Sequence, residues 1–363
     1  MEIPKITFPR PTAADFYNTT KKRVHEYFRT NNIKTKANTH MVLKTVFMML
    51  SYLIPYSLMV FGVVTNIWAI LGMWILMGFG MSGIGLSVMH DANHGAYSKN
   101  KKVNTIIAQV IWIIGGSSVN WRIQHNVLHH SYTNIDSMDE DLETISILRF
   151  SPHAEWRKIH RIQHWYAWLL YGMMTLMWAT LKDFNQLSRF KRRDLIKIQK
   201  KSYARLVTEL VLIKSLYYVL FLVIPMLTLP VAWWAVILFF LAMHFVAGLS
   251  LALIFQPAHV MPLTDFPLPD DQGNMENKWA IHQLMTTVNY ARESRLFSWY
   301  VGGLNYQIEH HLFPSVCHIH YKKISKIIRD TAKEFNLPYY TQPTFFDAVW
   351  QHMRFLKQLG RTA

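Results

Sequence analysis

Three short stretches of the chain concentrate imidazoles at spacings suited to holding metal. They are His90-Asp91-Ala92-Asn93-His94, His125-Asn126-Val127-Leu128-His129-His130 and Gln307-Ile308-Glu309-His310-His311. Seven of the 18 histidines fall within them, a density that scattered core or interfacial fillers do not explain. On an α-helix, residues four apart share a face, so His90 with His94, and His125 with His129, each offer two neighbouring ligands to one ion. Adjacent histidines diverge by about 100°, so His129 and His130, like His310 and His311, address different ions. This geometry predicts a dinuclear centre. His259 raises the imidazoles to eight, and Gln307 completes the set directly or through water. Imidazole accepts zinc, copper, iron and nickel alike, so these residues alone leave the metal open. The single cysteine, Cys317, excludes a thiolate cluster and a disulfide framework and is compatible with a reducing compartment.

The elements that must position these clusters are apolar. Thr45 to Met89 contains no Asp, Glu, Lys, Arg or His, and Ser215 to Ala258 is interrupted only by His244. A membrane-crossing helix needs about 20 apolar residues, so each block predicts a transmembrane hairpin, turning near Val63 to Ile67 and near Leu229 to Trp233. Composition agrees: 51% of the 363 residues are hydrophobic and 17% charged, against about 25% charged in a soluble domain. Each hairpin ends one residue before a histidine, His90 or His259, so both lie on the same side. Lys21, Lys22, Arg23, Arg29, Lys34 and Lys36 precede the first hairpin, and nine basic residues between Lys182 and Arg205 precede the second. By the positive-inside rule that side is cytoplasmic. No signal peptide is expected at the N-terminus, where charges and prolines interrupt residues 1–11.

Two shorter apolar stretches, Trp165 to Leu181 and Ile106 to Gly116, are expected to lie in the interface or re-enter the membrane. The predicted organisation is a cytosolic segment 1–44, a transmembrane hairpin 45–89, a cytosolic or interfacial region 90–205, a second hairpin 206–258 and a cytosolic region 259–363. It is an all-α integral membrane fold of four transmembrane helices in two hairpins, with a cytosolic helical cap carrying the histidine clusters and both termini. The net charge of +16 comes without a nucleic-acid-binding motif. It fits topology, attraction to anionic lipid and docking of an acidic partner. His244 is expected to pack or line a tunnel, His160 and His164 form a weaker ligand pair, His282, His318 and His320 could support the third cluster, and His25, His40, His153 and His352 are expected at the surface.

At these residues the chain resembles the membrane fatty acid desaturase family, whose pattern is three histidine boxes on the cytosolic side of paired transmembrane helices. The three clusters match the boxes, the third continuing as Leu312-Phe313-Pro314, with Trp121-Arg122, Tyr132-Thr133-Asn134 and Gly302-Gly303-Leu304-Asn305 around them. The resemblance covers about Thr45 to His320. Gln307 in place of a leading histidine is typical of front-end desaturases, which act between an existing double bond and the carboxyl end. The resemblance implies two irons, with His259 as the isolated ligand after the last transmembrane helix. It also implies dioxygen as co-substrate, a fatty acyl-CoA or acyl-lipid substrate, and electrons from a ferredoxin, flavodoxin or cytochrome b5-type protein. A His-Pro-Gly-Gly haem motif, common in eukaryotic front-end enzymes, does not occur in the sequence. This favours a bacterial-type branch in the inner membrane, with the endoplasmic reticulum as the alternative.

For that chemistry, carboxylates and amides beside the imidazoles would fix their tautomers. Asp91, Asn126, Asn305 and Glu309 are the candidates within and beside the boxes, and Asp136, Asp139 and Asp141 lie further along. A hydroxylase of the same superfamily is the competing enzyme reading, because both reactions begin by removing the same hydrogen. A metal sensor or transporter is the non-catalytic reading, disfavoured because the spans carry only His244 as an ionisable group.

Overall fold

The computed structural model describes residues 6–142 and 146–362. Helix α1 (Phe16–Thr30) is followed by the hairpin α2 (Thr39–Val60) and α3 (Ile67–Asn93). Next come α4 (Lys101–Ile114), α5 (Ser118–Tyr132), α6 (Gln163–Met177) and α7 (Asp183–Arg192), then the hairpin α8 (Tyr203–Thr228) and α9 (Trp233–His259). The chain closes with α10 (Trp279–Met285), α11 (Arg295–Tyr300), α12 (Gln307–Leu312), α13 (Tyr321–Glu334) and α14 (Phe345–Leu359). Two-residue strands β1 (Asn289–Tyr290) and β2 (Thr341–Gln342) pair in parallel among the cap helices.

Among the described residues α2, α3, α8 and α9 are the helices long and apolar enough to cross a membrane. They are the four spans of an all-α membrane protein. Half of the apolar window of α3 and of α9 is buried inside the protein, against 28% for α2 and α8. The inner pair therefore carries His90 and His259 at its ends, while α2 and α8 turn Phe47, Leu50, Leu212 and Leu216 outward to lipid. The helices overrun the uncharged blocks. α2 begins at Thr39 because Asn38 caps it, its side chain accepting from Met41 N at 3.2 Å, and because Lys44 is accommodated by a bond to His318.

Trp165 to Leu181 lies against the span α9. Its helix α6 packs along α9 so closely that a methyl at Gly248 would lie 2.6 Å from Gly172 O, and Thr175 Oγ1 donates to His244 O at 2.8 Å. The helix takes on π character at Trp178–Lys182, and α7 then runs beside α5, with Asn120 donating to Asp183 O at 2.7 Å and Gln186 to Gln124 at 2.8 Å. Arg189 there pairs with Glu140, back beside the second histidine cluster. α6 and α7 thus form one unbroken helical run, residues 163–192, packed against both α9 and α5. α4 and α5 are bent by 112° at a break around Gly115, whose φ is +80°, the geometry of a broken span or a re-entrant loop. Lys214 of α8 fastens the two segments together: its ammonium donates to Gly115 O at 2.7 Å, to Trp178 O at 2.6 Å and to Asp183 at 2.5 Å.

Candidate metal centre

His90 and His94 stand at the end of α3, His125, His129 and His130 on α5, His259 at the last residue of α9, and His310 and His311 on α12. All eight come together, every one buried except the partly buried His94. Ring nitrogens of His90, His94, His125 and His310 lie within 4.8 Å of one another, as do those of His129, His259 and His311. His130 joins the first group, with Nε2 3.2 Å from His125 Nε2 and 2.9 Å from His310 Nε2.

The adjacent histidines do divide between groups, His129 from His130 and His310 from His311. His125 and His129 also remain close enough to share one ion, their ligand atoms and Asp141's all lying within 4.8 Å of one another. Residues Arg122–His129 are π-helical, and in a π-helix successive turns close at i→i+5 rather than i→i+4. His130 thereby also approaches His125, and His129 also approaches His259 and His311. A second π segment, Ile84–Met89, leads into His90.

The nitrogens divide their work as metal ligands do. His259 Nδ1 lies 3.1 Å from Thr286 O, His310 Nδ1 3.2 Å from Tyr321 Oη, and His311 Nδ1 2.7 Å from Gln283 Oε1. His129 Nδ1 lies 3.0 and 3.1 Å from the two oxygens of Asp139. The opposite nitrogens of His259 and His311, both nitrogens of His90, and Nε2 of His94 are buried without a hydrogen-bond partner among the described residues. Burial, reinforced by neighbouring imidazoles, holds His94, His130, His310 and His311 well below the usual histidine range. Burial also pulls His125 down to about 3 despite Asp141. For His129 burial is outweighed by Asp139 and Asp141, and the ring is pushed up to about 9. Neutral imidazoles with inward lone pairs repel unless a cation lies between them, so the donor set fits metal ions.

The supporting residues only partly follow expectation. Asp91 lies 3.7 Å from His90 Nδ1 and 2.9 Å from His318 Nδ1. Asn126 donates to Asn93 O at 3.0 Å, tying the second cluster to the first. Asn305 instead fastens a turn, donating to Tyr290 O, Ala291 O and Ser298 Oγ. Glu309 faces away from the imidazoles, accepting from Asn289 at 2.8 Å and Tyr339 at 2.6 Å. On a short helix its neighbours His310 and His311 take the opposite side. Asp139 and Asp141 do meet imidazoles, Asp141 at 3.4 Å from His129 and 3.7 Å from His125. Asp136 makes no hydrogen bond or ion pair to an imidazole among the described residues. Gln307 is fully buried and neither amide atom has a partner among the described residues.

Gln283, Thr286 and Tyr321 carried no sequence signal, since each meets its histidine only through the tertiary fold. His352 is buried rather than superficial, bonded to Tyr171 Oη at 2.7 Å and Val260 O at 2.7 Å. His160 bonds to Ser146 O and Arg157 N, away from the cluster. His244 packs within the spans against Tyr217 Oη at 2.9 Å, and His282 holds Thr133 O at 2.7 Å. Asp91, Cys317 and His318 also lie close together, but the Lys44 ammonium 3.0 Å from His318 disfavours a cation there.

Four long apolar helices under a cap of clustered histidines define a membrane-bound metalloenzyme scaffold. Residues 65–343 match the profile of the family described as fatty acid desaturase. The sn-1 linoleoyl-lipid 6-desaturase of Arthrospira platensis is 35% identical, over 98% of this chain and 95% of that protein. The enzyme of the same name from Synechocystis sp. is 33% identical over 96% of each. The acyl-lipid (8-3)-desaturase of Physcomitrium patens is 35% identical over 96% of this chain and 72% of that protein. The chain therefore belongs to the fatty acid desaturase family, as an oxidoreductase of the front-end type.

Proposed function

We propose that this protein is a front-end acyl-lipid desaturase that holds two irons in its histidine cluster. The observation that supports this most is the pair of imidazole groups, each presenting free buried nitrogens to a common centre. His90, His94, His125 and His310, with His130 beside them, would hold one iron. His129, His259 and His311 would hold the other, and Gln307 would complete the set directly or through water. Irons bound there, given dioxygen and two electrons, supply the oxidising power to take one hydrogen from each of two adjacent methylenes. Overall, an acyl CH2–CH2, dioxygen, two electrons and two protons yield a cis CH=CH and two waters.

This chain's residues do the positioning. Asp139, Gln283, Tyr321 and Thr286 O fix imidazole orientations by their bonds to the outward nitrogens. Trp121, against His90, His94 and His125, excludes water from one side. The relatives' names favour a lipid-linked acyl chain over acyl-CoA. The basic residues flanking the spans favour a cytoplasmic site in a bacterial inner membrane, and an acidic ferredoxin, flavodoxin or cytochrome b5-type donor.

The test is gas chromatography with mass spectrometry of fatty acids from a host expressing the chain or its His310→Ala variant, fed unsaturated precursors and supplied with a donor. A new double bond on the carboxyl side of an existing one, present with the parent and absent with the variant, is the expected result. A hydroxylated product would move the chain to the hydroxylase reading. Equal products from parent and variant would remove the assigned site.

A further inference from the structure

A cavity of about 610 Å³ lies where the start of α2 meets α11 and the start of α13. Its charged lining is basic throughout: Lys44, Arg292, Arg295 and Lys322, with His40 and His318, and no carboxylate among the lining residues. Glu293 reaches Lys322 at 3.6 Å from the exposed surface. Arg295 has no hydrogen-bond or ion-pair partner among the described residues. Lys44 is only 2% exposed. Its ammonium meets His318 Nε2 at 3.0 Å and lies 5.5 Å from the centre of the Trp299 ring, and among the described residues no carboxylate bonds to it directly, Asp91 standing behind His318. An ammonium buried with no carboxylate bonded to it, in a cavity otherwise lined by cations, stays charged at a high cost unless an anion completes the site, the alternative being loss of its proton.

The rim identifies the anion. Leu43 and Phe47 of α2 and Leu296 and Trp299 of α11 are exposed beside the cavity. They stand at the end of a span, where an amphipathic tryptophan marks the level of lipid headgroups. The depth identifies what the anion is joined to. His318 at the back of the cavity holds Asp91, and Asp91 neighbours His90, so two side chains separate the cavity from a proposed iron ligand. Front-end chemistry requires the ester end of the acyl chain, and hence the headgroup, close to the metals.

We propose that this cavity binds the phosphate of a glycerophospholipid substrate and so fixes the distance from headgroup to reacting methylenes. The Arg295 fork and the Lys322 ammonium grip the phosphate at the mouth, and Lys44 meets it from below. The proposal rests on the acyl-lipid reading above.

The test is native mass spectrometry of the full-length protein in detergent with dioleoyl phosphatidylglycerol, with the matching diacylglycerol, or with oleoyl-CoA. Phosphatidylglycerol is expected to be retained about tenfold more tightly than diacylglycerol, and the Arg295→Gln/Lys322→Gln double variant to lose that preference. The charge-keeping Arg295→Lys/Lys322→Arg pair is expected to retain it. Equal retention of diacylglycerol, indifference to the charge-removing variant, or preference for oleoyl-CoA would each overturn the proposal. Binding is read without turnover or iron. Loss of this preference with products still formed leaves the desaturase standing, and intact binding without products removes only the desaturase.

Discussion

Each imidazole of the cluster depends on what its outer nitrogen meets, and Asp139 is the sharpest case. Both its oxygens lie within 3.1 Å of His129 Nδ1. Removing such a partner typically costs about 10–100-fold in metal affinity or activity. Asp139→Asn is therefore expected to lower iron per protein, measured by elemental mass spectrometry, and product formation by that order. Wild-type iron content and yield would show that the carboxylate is dispensable. The histidines themselves were legible as clusters because their spacing is local. Their full grouping was not, because Arg122–His129 coils as a π-helix, which brings His130 to His125 and leaves His129 near both His125 and the pair His259 and His311. Glu309 misled because adjacency in sequence to His310 does not say which side of α12 a side chain takes, and Asn305, before that helix, is drawn into the turn at Tyr290 and Ala291.

At the scale of elements, the uncharged blocks announced the hairpins plainly, since no soluble helix pair needs so long a run without charge. The placement of α4–α5 and α6–α7 was not legible because their partners, Lys214 and Asp183, lie apart in the chain. Breaking a buried ion pair on one side costs about 3–5 kcal/mol, whereas replacing both partners with apolar groups is often nearly neutral. Lys214→Met is expected to lower the thermal midpoint in detergent markedly, and Lys214→Met/Asp183→Leu to recover much of the loss. No recovery in the double variant would mean that the bonds from Lys214 to Gly115 O and Trp178 O, not the pair, hold the bend. Gly302 is a second such point: its φ is +66°, and a methyl there would lie 2.3 Å from Leu86 O in the π segment leading to His90. Gly302→Ala is expected to cost about 1–3 kcal/mol through strain and overpacking and to reduce iron content with it. An unchanged thermal midpoint would sink that prediction.

For the whole molecule, sidedness follows from the distribution of basic residues. A cysteine tag placed between Arg193 and Lys201 is expected to resist membrane-impermeant label in intact cells and to react after lysis. Labelling from outside would reverse the topology. Metal should also clamp the assembly. Because the histidines come from α3, α5, α9 and α12, iron that binds only the folded chain stabilises it by mass action. Stripping iron with a chelator is expected to lower the thermal midpoint, and restoring iron to recover it. A midpoint insensitive to iron would mean that the spans hold the cap without help.

The scatter of those four helices along the chain also sets a timetable. His90 is synthesised more than two hundred residues before His311, and contacts of such sequence separation form late. While the first hairpin is already seated in the bilayer, its histidines have no partners from α9 or α12. The pocket can close only when the last ligand has left the ribosome. With iron in the site as proposed, its acquisition would be the concluding act of this protein's maturation, and a cell short of iron would hold finished polypeptide waiting rather than halt its synthesis midway.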